Sequence, residues 1–275
     1  MAVVLLGAVL HAAWNTLVRS AADKFLDTVL MLSGAGLLTA VLLPVLPLPA
    51  TESWPYLAAS VLIHVIYFAL VALAYHGAEL SFAYPVMRGS APVLSALAVV
   101  LLLNETPTPG GWLGILLVSG GVLLLATDAW RSGKLRTGPT LLALANAGVI
   151  AVYTLVDGQG ARLSGHAFSY TGWMFLLTAV LLFVLALALK GRRMINHVRH
   201  GWQRGLFGGA STLASYGLAL WAMTQAPIAL VAALRETSVV FAVIMAAFFL
   251  AEPVTRLRVV SIVTVAAGAV AIKIF

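Results

Sequence analysis

Apolar runs of about 20 residues follow one another along almost the whole chain, each closed by a short cluster of polar, Gly or Pro residues. A helix needs about 20 apolar residues to cross the hydrocarbon core of a bilayer. Marking the runs gives ten: about 2–18, 27–46, 55–75, 82–103, 110–129, 139–157, 168–189, 205–224, 228–250 and 257–275. Barrel strands would alternate in shorter segments, so the pattern predicts an all-α integral membrane protein. The first run, Ala2 to Ala13, has no basic stretch ahead of it and continues through Trp14 and Asn15, so it reads as a span rather than a cleaved signal. Thr108 before Pro109 predicts a capped start for the fifth span, and Gly138-Pro139 opens the sixth in a similar way.

The runs repeat. Asn104-Glu105-Thr106-Pro107-Thr108, after the fourth, matches Ala251-Glu252-Pro253-Val254-Thr255, after the ninth, both as Glu-x-x-Thr. At the same offset Arg88 falls on Arg235 and Gly121 on Gly268, while Thr16-Leu17-Val18 recurs as Thr154-Leu155-Val156. The chain therefore reads as two five-helix repeats, residues 1–130 and 139–275, with a connecting loop at 131–138. An odd number of spans per half makes the second half enter the membrane from the opposite side. The expected architecture is ten transmembrane helices as two inverted five-helix repeats around a central cavity.

Composition agrees. Of 275 residues 62% are hydrophobic and 9% charged, against about a quarter charged in soluble domains, and the mean hydropathy is +1.04. Cysteine is absent, which excludes a disulfide framework or a thiolate metal site. The net charge of +7 does not point to nucleic acid, because most of the basic residues sit in loops. Twelve fall in the odd-numbered loops, among them Arg19, Lys24, Arg131 and Arg199, and two, Arg162 and Lys273, in the even loops and tail. The positive-inside rule then places both termini outside.

Ionisable groups inside hydrocarbon are costly and so are functional candidates. Arg88 and Arg235 each lie about eight residues into a span, roughly 10 Å deep at 1.5 Å per residue. The alternatives are snorkelling to the interface or a structural ion pair. Ser81, Tyr84, Arg88 and Ser95 form one helical stripe, in a helix that also holds Pro85 and Pro92. Ser238 is three residues from Arg235, whereas Glu236 faces about 100° away and is expected to meet another helix. His11, Trp14 and Asn15 share a face of the first span; Asn146, Tyr153 and Asp157 form a stripe in the sixth; His64 and Tyr67 correspond to Thr212 and Ser215. Helix–helix hydrogen bonding and packing are the competing readings for these. His11 and His64 can carry protons near neutral pH or be satisfied buried histidines. Asp157, at the end of its run, is read either as a proton carrier with them or as a solvated end residue. Glu105 and Glu252 are read as structural acids at helix ends. Gly110/Gly114 and Ala267/Ala271 have spacing suited to close packing of the fifth and tenth spans.

Two guanidinium groups facing a cavity favour an anion, since their planar fork matches carboxylate or phosphate oxygens. If Glu236 neutralises one of them, the site is left near +1, suited to an amino acid or other carboxylate. With both free, a phosphate or phosphonate dianion fits.

With paired Glu-x-x-Thr motifs, Gly-rich last helices (Gly114, Gly120 and Gly121, then Gly268), the opening Leu10-His11-Ala12-Ala13-Trp14-Asn15 and the run Ala233 to Val239, the chain resembles the EamA family of the drug/metabolite transporter superfamily. The resemblance covers nearly the whole chain. It implies a basket in which spans one to four and six to nine line the cavity while five and ten act as supports. It also implies a multi-pass protein of the bacterial inner membrane, whose relatives export amino acids and other small metabolites or exchange phosphorylated ones. Two departures stand out: relatives keep both termini in the cytoplasm, and the first span here lacks the carboxylate with which the four-helix branch exchanges cations for protons.

The expected function is a gradient-driven exporter or exchanger of a small anionic or zwitterionic metabolite, with a proton or other counter-ion as a potential partner. The alternatives are a non-transporting membrane partner or sensor, and a flippase for lipid-linked substrates. No enzyme is expected: the chain shows no nucleophile triad, phosphate-cradling loop or His-x-x-x-His spacing. No cofactor or metal is expected either.

Overall fold

The computed structural model describes residues 1–77, 80–127, 137–249 and 254–274, and no strand occurs among them. The chain runs through α1 (Ala2–Arg19), α2 (Lys24–Leu42), α3 (Trp54–Gly77), α4 (Leu80–Leu103), α5 (Pro109–Leu124), α6 (Thr137–Leu163), α7 (Ala167–Lys190), α8 (Arg192–Gln225), α9 (Ile228–Arg235), α10 (Ser238–Phe249) and α11 (Arg256–Ile274). Residues 131–136 of the expected connecting loop, with Arg131, Lys134 and Arg136, and the motif residues Ala251, Glu252 and Pro253 lie outside the described residues.

Local chemistry explains several starts. The Asp23 carboxylate accepts from Leu26 N at 3.1 Å and caps α2. The Thr108 hydroxyl accepts from Gly111 N at 3.0 Å, with Pro109 in the first turn of α5, as its sequence suggests. Thr255 does the same for α11, accepting from Arg258 N at 3.3 Å. Both Glu-x-x-Thr motifs therefore end in a helix-capping threonine.

Eight helical stretches are long and apolar enough to cross a membrane: α1, α2 with its 3-10 extension, α3, α4, α6, α7, α9 with α10, and α11. The other two expected spans differ. The α5 helix has 16 residues. The α8 helix is longer than expected, because the basic stretch Arg192–Arg204 is helical and continuous with the apolar part. Gly, Ser and Thr lower the hydropathy of that apolar part, and Gly205, Gly208 and Gly209 sit where α8 meets α2. A Cβ at Gly208 would lie 2.6 Å from Met31 Cγ, and one at Gly205 would lie 3.1 Å from Leu30 O. Small residues of this kind let helix backbones approach closely in a bilayer.

The ninth and sixth spans also depart from expectation. The ninth is not one continuous helix. It breaks between Arg235 and Ser238, where Glu236 N, Thr237 N, Val239 N and Val240 N each bond to the carbonyl three residues back. Such a tightened turn re-aims the side chains on either side. The sixth runs on to Leu163, so Asp157 is not at a span end and is not solvated: it is 0% exposed.

In the interior, α5 packs along α11, α2 along α7 and α8, α1 along α8 and α10, and α6 along α3 and α4. The α5–α11 contact uses Gly114, Gly121 and Gly268 rather than the Ala267/Ala271 pair. A Cβ at Gly268 would lie 2.8 Å from Gly114 O, whereas Ala267 faces outward. Leu101, Phe248 and Phe249 are among the most exposed residues, as suits a lipid-facing perimeter.

Ion pairs hold the two ends of the bundle. At one end Arg162, near the end of α6, grips Glu105 beyond α4 and donates to Met223 O at 2.8 Å and Ala226 O at 3.1 Å, where α8 finishes. At the other end α8 begins against the α1–α2 corner. There His197 Nε2 lies 2.7 Å from Asp27 Oδ1 and Arg193 3.0 Å from Asp23. Arg204 donates to Leu17 O and to Ser20 Oγ. Its Nε lies 2.7 Å from Asp27 Oδ2, a charge contact without hydrogen-bond alignment. From Arg204 to Met223, α8 rises about 28 Å at 1.5 Å per residue, close to the thickness of a bilayer core of about 30 Å.

Candidate functional site

Between the helices lies a cavity of about 70 Å³, lined by side chains from α1 to α4 and α6 to α9 and by none from α5 or α11 among the described residues. By this measure a single water needs about 10–15 Å³, so the space suits a few waters or a small solute. Arg88 and Arg235 both line it, and both are buried, at 3% and 8% exposure. Neither snorkels to an interface.

The two arginines have different partners. Arg88, on α4, is paired with Glu236, whose Oε1 lies 2.9 Å from its Nη2. Glu236 reaches α4 because it sits in the break between α9 and α10, so the expectation that it meets another helix is met by Arg88 itself. The same Nη2 lies 3.4 Å from His11 Nε2. Arg235 ends α9, and its guanidinium sits 4.8 Å from the centre of the Tyr216 ring, a cation–π contact. No ion pair to Arg235 occurs among the described residues.

Tyr216, on α8, was not singled out in the sequence and joins the second group of polar residues. Its hydroxyl donates to Asp157 Oδ2, and Tyr170 OH, from α7, donates to Asp157 Oδ1 at 3.1 Å. His64 Nε2 lies 4.0 Å from Asp157 Oδ2. The His64 ring stacks on Tyr153, centroids 4.7 Å apart, and Tyr67 meets Tyr153 edge-on at 5.6 Å. His64, Tyr67, Tyr153 and Tyr216 all line the cavity, so one wall is aromatic.

The remaining candidates separate. His11 and Trp14 line the cavity, with Trp14 Nε1 3.4 Å from His11 Nδ1. Asn15 does not line it; its amide bonds back to His11 O at 2.9 Å within α1. Tyr84 lies on the Arg88 helix but outside the lining set. Ser238 is 1% exposed, off the cavity, and its hydroxyl has no hydrogen-bond partner among the described residues. Asn146 is 0% exposed, with its amide nitrogen 3.0 Å from Met87 Sδ. Ser215 ties α8 to Gly7 O at 2.7 Å, a helix–helix bond, while Thr212 one turn back faces the cavity. Thr212 was the clue to Tyr216, four residues on along the same face. Among the described residues no group of three His, Cys, Asp or Glu side chains could hold a metal ion.

The family model described as "EamA-like transporter family" matches residues 138–274. A search of curated proteins finds no match. Among solved structures, one described as "Crystal structure of protein" superposes over 100% of this chain and 99% of its own with a TM-score of 0.70, at 19% sequence identity. At that identity the likeness concerns the fold alone. With its multi-pass array of apolar helices and the match over its second half, the chain belongs to the EamA-like transporter family, a family of the drug/metabolite transporter superfamily.

Proposed function

We propose that this transporter is a gradient-driven exporter or exchanger of a small metabolite bearing one carboxylate, an amino acid or related organic acid, held at Arg235. The observation that carries this reading is the unequal pairing of the two arginines. Glu236 neutralises Arg88 at 2.9 Å, while Arg235 faces the cavity over an uncharged ring. Of the two charge states open to the sequence, the paired one leaves this part of the site near +1, which favours a monoanionic group over a phosphate dianion. A guanidinium offers such a group two parallel hydrogen bonds. The small cavity and its aromatic wall favour a short, compact side chain.

Alternating access of two inverted five-helix repeats, residues 1–130 and 139–275, is the mechanism we infer. Helix packing supports it. Exchanging the halves maps the α1–α8 contact onto α6–α3, and α4–α6 onto the contact of α1 with α9 and α10. The α2–α7 and α5–α11 contacts map onto themselves. The two ionic clasps at opposite ends of α8 are suited to open in turn. A bacterial inner-membrane location follows from the family resemblance, and the excess of basic residues in the odd loops favours both termini outside.

Counterflow in proteoliposomes tests the proposal, using labelled alanine, lactate and a phosphate monoester. Saturable flux of a monocarboxylate that Arg235→Ala lowers at least a hundredfold is the expected result. Undiminished flux in both Arg235→Ala and Arg88→Ala variants would overturn it.

A further inference from the structure

We infer that the His64–Asp157 pair is a proton-binding site of the carrier and that Tyr216 links it to Arg235, so that anion and proton are carried together. The inference rests on Arg235 being the anion site, and it adds the identity of the coupling ion.

His64 Nδ1 lies 2.9 Å from the carbonyl oxygen of Ser60, one turn back on α3, and 3.2 Å from the Ser60 hydroxyl. A carbonyl only accepts, so this shorter contact suits the tautomer with the hydrogen on Nδ1, which leaves Nε2 as the nitrogen that takes up or releases a proton. That nitrogen points at Asp157 Oδ2, 4.0 Å away, an oxygen to which Tyr216 already donates. In the unprotonated state a lone pair faces a carboxylate. One added proton turns this into a charge-assisted contact between Nε2 and Oδ2.

Every helix packed around the pair contributes an identified group. From α3 come His64, Tyr67 and Ser60; from α6, Asp157 and the Tyr153 ring stacked on the imidazole; from α7, Tyr170; from α8, Tyr216; and from α9, Arg235 behind the Tyr216 ring. Arg88 and His11, from α4 and α1, line the same cavity, with Arg88 paired to Glu236. Asp157 is wholly buried and His64 opens to the cavity at 12% side-chain exposure, so His64 provides the proton's path.

Tyr216 holds Asp157 through its hydroxyl and Arg235 through its ring. In the empty carrier the Arg235 cation stands on the other side of that ring and opposes a further positive charge there. A bound substrate carboxylate cancels this charge, and a proton on the His64–Asp157 pair is then no longer opposed by a neighbouring cation. Substrate and proton therefore favour each other's binding, and by linkage the effect is mutual. The complex that crosses carries a monoanion with one proton, and net flux follows the sum of the two gradients in either direction.

The test measures labelled lactate and alanine flux together with internal pH in proteoliposomes. In the wild type, substrate affinity is expected to tighten about fivefold or more from pH 8 to pH 6, and an imposed pH gradient is expected to drive accumulation. In Asp157→Asn, and separately in Tyr216→Phe, which keeps the ring under Arg235 but removes the hydroxyl, the ratio of pH-driven flux to substrate–substrate exchange is expected to fall at least tenfold. Arg235-dependent exchange without any pH-driven flux in the wild type would overturn the proton site and leave the anion site standing. So would an unchanged ratio in Tyr216→Phe, or proton movement opposite to the substrate. If the wild type shows no exchange of either probe, the anion-site reading itself fails.

Discussion

Arg88 and Glu236 stand 2.9 Å apart, with about 4% and 5% of their side chains exposed, one on the fourth helix and the other in the break of the ninth span. The pair ties the two halves of the chain together at the cavity wall. Removing one partner of a buried ion pair leaves an uncompensated charge and costs roughly 3–5 kcal/mol, whereas apolar replacement of both is often neutral. Glu236→Ala is therefore expected to lower the melting temperature in detergent sharply, and Arg88→Met with Glu236→Leu to restore most of it. The double variant is expected to fold yet lose about tenfold or more in flux, because Arg88 also lines the cavity. Wild-type flux in the double variant would make the pair purely structural.

The supporting helices give a contrast within one helix. A Cβ at Gly121 would lie 3.0 Å from Val265 N, whereas one at Gly120 would meet nothing within 4 Å. Gly121→Leu is expected to wedge α5 from α11 and destabilise the protein by about 1–3 kcal/mol or more, the usual range for overpacking. Gly120→Leu should leave the melting temperature within experimental error. Thermal unfolding of the two purified variants checks this, and equal losses would mean that the contact is not close.

Much of the helix order was legible, because a bilayer demands long apolar runs and the chain supplies them. The fine placement of the site was less so, for identifiable reasons. Gly158, Gln159 and Gly160 read as punctuation after Asp157, yet α6 continues through them. These glycines admit neighbours instead: a Cβ would lie 2.6 Å from Ile228 Cδ1 at Gly158 and 2.5 Å from the Tyr170 ring at Gly160. Gly160 makes room for the tyrosine that holds Asp157. The break at Glu236 carries no Gly or Pro signal, and its tightened turn accompanies a tertiary contact, the reach of Glu236 to Arg88. Asp27 opens the second apolar run, and the sequence around it carries no sign of a partner. Its burial against His197 and Arg204 depends on α8 starting thirteen residues before its apolar part.

The charge count and the family norm disagree on orientation, and the chain is well suited to deciding between them because it contains no cysteine. Single cysteines at Arg199, in the basic start of α8, and at Thr51, before α3, fall at opposite ends of the bundle. With both termini outside, the cysteine at position 199 is expected to react in intact cells only with a membrane-permeant maleimide, and the one at position 51 with an impermeant reagent as well. The reverse labelling pattern would place the termini in the cytoplasm and set aside the positive-inside reading for this chain.

The Arg162–Glu105 clasp makes the most direct claim about motion. It joins the ends of α4 and α6 to the end of α8 through two backbone carbonyls, at the end of the bundle opposite the Asp27 cluster. Both side chains are about a quarter to a third exposed, so their contribution to stability is modest, and the effect of breaking them should appear in populations rather than in folding. Glu105→Gln removes the charge but keeps the shape. It is expected to raise the rate at which a cysteine at Thr212, on the cavity wall, reacts with an impermeant maleimide from the Glu105 side, by about fivefold for a shift near 1 kcal/mol. Saturating lactate or alanine, if it stabilises the closed state, should slow that labelling in the otherwise unmodified protein. A Thr212 cysteine whose reactivity is the same with and without the Glu105 charge would mean that the clasp does not govern entry, and that the cavity opens elsewhere.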